Sequence, residues 1–149
     1  MNESTFDCEH FLSLCNDELV TYAEPFVTTQ AEKVPGSAYD ILANRFDQMS
    51  DVHKVYALEI CMRLAPEKFV GQAIEFLAHT DSAVCCTASR LLEAVSPELV
   101  SDNLIKRISE TPVVELFATH VRTGERVRIG TNKEFIRTLL GRLRQQAAD

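Results

Sequence analysis

Four histidines and five cysteines are the side chains of this 149-residue chain best suited to catalysis or metal binding, so their spacing is the first test of function. His10, His53, His79 and His120 are scattered, with no HExxH pair of the kind that holds zinc on one helix face. Cys8, Cys15, Cys61, Cys85 and Cys86 show neither the paired spacing of a zinc site nor a disulfide framework. Cys85 and Cys86 would point about 100° apart on a helix and do not pair. Such thiols read as small apolar residues of a reducing compartment. His53 falls in an apolar column and reads as a core histidine with its nitrogens bonded, while in His79-Thr80-Asp81 the Thr or the Asp reads as a helix cap. With no G-x-S-x-G elbow and no glycine-rich phosphate loop, the residues predict no enzyme, no cofactor and no metal site.

The elements that carry these residues repeat. Pro35, Pro66 and Pro97 stand 31 residues apart, as do Ile74, Ile105 and Ile136, and Ala57 and Ala88. Leu42, Ala73, Leu104 and Phe135 share one column, and Phe46, Leu77, Ile108 and Leu139 share another a turn later. Apolar columns three or four residues apart are the buried stripe of a helix. A proline fits the first helical position, and Ser96 before Pro97 is a suitable N-cap. Second helices follow at Asp51 to Leu64, Asp81 to Val95 and Thr111 to about Arg122, the third with Val114, Phe117, Ala118 and Val121 as its stripe. Thirty-one residues accommodate two helices of about a dozen residues with short turns.

The ends diverge from this pattern. Phe11, Leu12, Leu14 and Cys15 extend the first-helix columns backwards, and Pro25 interrupts a partner helix begun by Leu19, Val20, Tyr22 and Ala23. Residues 24–36 fit either a bent helix or a loop with one helical turn. Residues 121–130 alternate briefly around Thr123-Gly124, which fits a short hairpin or an extended loop, and the loop is the reading taken. Thr131-Asn132-Lys133-Glu134 has the form of a capping box opening a last helix, with Phe135, Ile136, Leu139, Leu140 and Leu143 on its apolar face. The organisation predicted is one domain: a divergent cap at 1–34, repeats at 35–65, 66–96 and 97–127, and a capping helix over 128–149.

Composition constrains the class. The N-terminus MNESTFDCEHF is acidic, without the positive n-region and apolar run of a signal peptide, and no segment approaches the roughly 18 apolar residues of a membrane helix, so a cytoplasmic protein is expected. The net charge of −7 is divided unevenly. Residues 1–81 carry 14 acidic and 5 basic side chains, whereas residues 82–149 carry 8 acidic and 10 basic. Arg122, Arg126, Arg128, Lys133, Arg137, Arg142 and Arg144 crowd the end of the chain. A domain of this acidity, with no Trp and three Tyr, lacks the stacking aromatics of a single-strand binder, and nucleic acid is not the expected partner.

Two-helix units with a proline near the first helix and Asp81-Ser82-Ala83-Val84 opening a second, backed by Ala88 and Leu91-Leu92, resemble HEAT repeats of the short bacterial kind. The resemblance covers most of residues 35–149 and departs at Cys85, where that pattern usually has Arg. It implies an all-α, right-handed α-α superhelix of 31-residue period, with second helices lining a concave side and no chemistry of its own. On that side would lie Asp51, Val55, Glu59, Met62, Cys86, Arg90 and Glu93, with Glu59 and Arg90 at equivalent positions of adjacent units. In general character, though not in motif, a small acidic domain of this kind resembles bacterial immunity proteins that cover a basic toxin, often a nuclease. The expected partner is therefore another protein, and the alternatives are a scaffold or adaptor module and a nucleic-acid-associated module using the basic C-terminal segment.

Overall fold

Pro66 stands at the first position of a ten-residue helix, α5 (Pro66–Glu75), where its missing N–H costs no hydrogen bond. The other two prolines of the series do less. Pro35 sits in a turn ahead of α3 (Ala38–Ala43), accepting from the Ala38 N–H at 3.0 Å, and Pro97 opens a single 3-10 turn, Pro97–Leu99. The cap expected at Ser96 is supplied instead by Ser101, whose hydroxyl accepts from Leu104 N–H and starts α7 (Asp102–Ser109). Extended Val100 separates that turn from the helix. These assignments come from a computed structural model that describes residues 5–120 and 122–148. Met1 to Ser4, Val121 and Asp149, which the predicted boundaries include, lie outside the described residues.

The remaining helices are α1 (Cys8–Ser13), α2 (Asn16–Val27), α4 (Asp51–Leu64), α6 (Ser82–Glu93) and α8 (Lys133–Ala148). The protein is mostly helical, with one small two-stranded sheet among the described residues, and no helix there is long and apolar enough to cross a membrane. Helices α2, α4, α6 and α8 pack in series, each on the next. On the other side of this row α1 contacts α3 and α5 contacts α7, and α3, α5 and α7 pack on α4, α6 and α8. The apolar columns meet between the two rows. Leu42, Ala73, Phe46, Leu77, Ile108, Leu139, Ala57 and Ala88 are buried, the three alanines completely, where only a small side chain lets the helices approach. Each of the larger residues contributes about 1.5–3 kcal/mol by leaving water.

Four local expectations fail. Helix α2 passes through Pro25 to Val27, because only one intrahelical bond is lost there, and the helix ends as Thr28 Oγ1 and Gln30 N–H donate to the Glu24 and Pro25 carbonyls. A 3-10 turn follows at Ala31–Lys33. The segment after Thr111, predicted as a helix, is β1 (Glu115–Thr119), and the segment read as a loop supplies β2 (Arg126–Thr131), antiparallel to it. β-branched Val113 and Val114 favour extended backbone over a helix, and Phe117 N–H donates to Thr80 O at 2.8 Å, extending the sheet to the residues before α6. The capping box also fails to form: Thr131 Oγ1 accepts from Lys133 N–H, while Glu134 pairs with Arg137.

Asn132 takes the place of the box. It is completely buried, donates through Nδ2 to Leu77 O at 2.8 Å and Pro112 O at 3.0 Å, and accepts at Oδ1 from Val114 N–H at 2.9 Å. One amide thus fixes the base of the hairpin to the 3-10 turn Phe76–Ala78 and to the start of α8.

Candidate functional site

Helices α4 and α6 begin side by side, and their caps form the floor of a wide depression. Ser50 caps α4 by accepting from His53 N–H at 3.2 Å, and the Asp81 carboxylate caps α6 by accepting from the Ala83 and Val84 N–H groups at 3.0 and 3.1 Å. Asn16 and Val20 of α2 make one wall. Ala118, Thr119, His120 and Gly124 of the hairpin make the other, with Met49, Val52, Val55, Tyr56 and Ala83 between them. The cleft measures about 760 Å³ and is open to solvent along its length. Gly124 turns the hairpin with a φ of 75°, which an L side chain rarely adopts.

Two carboxylates flank this space, in unequal states. Asp51 is partly exposed at the rim, 4.0 Å from Lys54 Nζ and 3.6 Å from His79 Nε2. Asp81 is only 4% exposed, and its second oxygen accepts from Thr119 Oγ1 at 3.2 Å, so it holds the hairpin against α6 and is not a free surface charge. The His79 Nδ1 accepts from Asp81 N–H at 3.0 Å, and burial together with nearby Lys54 lowers the pKa of that ring.

A serine and a histidine also meet here. Ser50 Oγ–H donates to His53 Nδ1 at 2.6 Å and His53 Nε2–H donates to the Phe11 carbonyl at 3.0 Å, with the tautomer fixed by those two partners. His53 is buried, its pKa is lowered by desolvation, and among the described residues its ring nitrogens bond only Ser50 and the Phe11 carbonyl, with no carboxylate to stabilise an imidazolium. The pair is a helix cap joined to a satisfied core histidine. All five cysteines are free thiols; burial pushes Cys61 and Cys85 up to about 12 and raises Cys8, while Cys15 and Cys86 are exposed.

The seven residues proposed from sequence do not converge on one spot. Asp51 and Val55 line the large cleft. Glu59, Met62 and Arg90 line a separate groove of about 340 Å³ at the other end of α4 and α6, where Met62 is buried beside Val27 and offers little to a partner. Cys86, Arg90 and Glu93 border a third depression of about 320 Å³ against α8. Glu59 and Arg90 form a salt bridge, and Glu93 pairs with Arg142 at 2.7 Å, so neither glutamate is a free charge. Strand β1 was missed because a stripe of Val114, Phe117, Ala118 and Val121 fits helical spacing, although the alternation up to Ile129 left a short hairpin open as a reading. No family model, curated protein or solved structure matches this chain.

Proposed function

We propose that the protein is a HEAT-like, right-handed helical stack that binds another protein without catalysing a reaction, acting as an immunity or inhibitor protein toward a basic toxin domain, a nuclease among the candidates. The observation that carries this reading is the cleft between α2 and the hairpin. It is long, open and largely apolar, with Val20, Val52, Val55 and Tyr56 available to a side chain from outside and Asp51 at its rim to meet a cation. Its size lies within the range of about 300–1,000 Å³ typical of ligand sites, yet its polar groups serve as caps and hairpin ties. The acidic first half of the chain supplies α2 and α4, so a basic partner would be drawn toward this side.

The test is capture of a partner by tagged protein in cells of the native source, compared with the Val20→Arg variant. Val20 is 40% exposed, so the substitution fills the cleft wall without disturbing the core. The reading expects wild type to retain one basic polypeptide stoichiometrically and Val20→Arg to lose it. Equal retention by both proteins, or retention of nucleic acid alone, would refute it.

A further inference from the structure

Among the described residues, strand β2 leaves one sheet edge open. Strand β1 is paired on both sides, to β2 through the register Phe117↔Arg128, Ala118↔Val127 and Thr119↔Arg126, and to Thr80 and Asp81 on its other flank. Among the described residues β2 pairs with β1 alone. Because the Phe117 N–H is spent on Thr80, Phe117 and Arg128 face each other as a pair that does not exchange hydrogen bonds, and alternation places Thr119 and Arg126 in the same class. The His120 N–H donates to Glu125 O at 2.8 Å, which fits that phase. Arg126 and Arg128 therefore direct their backbone N–H and C=O groups outward, away from β1. The register shift beside Gly130 confines this usable edge to the segment before the bulge.

The side chains along the edge define what fits it. Val127 and Ile129 are each 55% exposed, an unusual display for large apolar residues on a free strand. Arg126 lies over the Phe117 ring at 4.6 Å and Arg128 bonds Glu115 at 2.9 Å, which puts both guanidinium groups on one face of the sheet, while Val127 pairs with Ala118 on the other. The Arg128–Glu115 pair is more than half exposed on both sides and yields readily to a competing carboxylate. Residues 122–137 hold five basic and two acidic side chains, so the surroundings are positive.

We infer that the β2 edge receives an extended segment of a partner protein by strand addition, the segment carrying carboxylates at two positions two residues apart and an apolar residue between them. Main-chain bonds to Arg126 and Arg128 set the register, the two carboxylates meet the two guanidinium groups, and the intervening side chain covers Val127. A second copy of this chain fits poorly, because antiparallel self-pairing of β2 sets arginine against arginine. None of residues 126–131 lines the cleft, although their cross-strand partners Ala118 and Thr119 do, so the two sites adjoin without sharing a residue.

Amide hydrogen exchange with an end-capped peptide centred on Asp-Val-Asp, and with its Lys-Val-Lys counterpart, tests the inference. With free peptide at about ten times Kd, exchange at the Arg126 and Arg128 amides should slow about tenfold with the acidic peptide, because only about a tenth of the protein stays unbound with these amides open to water, and not with the basic one. The double variant Arg126→Glu/Arg128→Glu should reverse the preference. Should that variant not fold, Arg128→Pro, which removes an outward N–H, should abolish the protection. Absence of protection at millimolar peptide, retention of the acidic preference after charge reversal, or equal protection by single-stranded oligothymidylate would each overturn it.

Discussion

Glu59 on α4 accepts a hydrogen bond from Arg90 on α6, 31 residues further along the chain. The spacing equals the sequence repeat, so the pair joins equivalent positions of adjacent helices in the row. Arg90 is largely exposed, which limits the value of the bridge to about 0.2–1 kcal/mol. Glu59→Lys should cost no more than about 1 kcal/mol, and adding Arg90→Glu should recover most of the loss. A double-mutant cycle in urea measures the coupling; a charge-swapped double variant less stable than Glu59→Lys alone would mean that the two side chains do not face each other.

Ala88 is the more severe test of the same packing. It is completely buried where α6 meets its neighbours, and Ala88→Arg should cost at least about 3 kcal/mol through overpacking and an unpaired buried charge. Exposed Glu75→Gln should stay within about 0.5 kcal/mol. Thermal melts of the two variants, read side by side, decide it.

Asn132→Ala strands the Leu77 and Pro112 carbonyls and the Val114 N–H. The expected loss is about 3 kcal/mol or more, at roughly 1–3 kcal/mol for each buried unsatisfied group. Exchange at the Val114 amide should accelerate far more than at Ala88. Uniform acceleration across both would show that Asn132 does not serve the hairpin specifically.

The contrast between these residues explains what the sequence could reveal. Ala57, Ala88, Leu77 and Ile108 announce themselves because a helix buries them by a local rule, one face every 3.6 residues. Asn132 does not, because its partner Leu77 lies 55 residues away and nothing in Thr131-Asn132-Lys133-Glu134 separates a long-range amide from an N-cap. The strand from Glu115 depends likewise on Thr80 and β2, partners that a helical count of its own apolar residues ignores. Half of the cleft was therefore hidden: Asp51 and Val55 were legible on α4, while Ala118, Thr119 and His120 required the fold.

Stability should fall in mild acid. Desolvation lowers the His53 pKa below its ordinary 6.5, so the unfolded chain binds a proton more readily than the native one. The contribution of the neutral ring is complete above the unfolded pKa and is lost as pH drops through about 6.5 toward the folded value. His79 acts in the same direction, through burial and Lys54. The midpoint of thermal unfolding should decline between about pH 7 and pH 5, and less steeply in His53→Gln. An identical pH slope in wild type and variant would remove His53 from this role.

The central claim is that a basic protein docks at the cleft, and the rate of association against ionic strength tests it most directly. With the captured polypeptide in hand, wild type should associate fastest at low salt, and Asp51→Lys, which reverses the charge at the cleft rim, should slow association several-fold there. The two rates should converge as salt shortens screening below about 8–10 Å. Equal rates for both proteins at every ionic strength would contradict docking at this site.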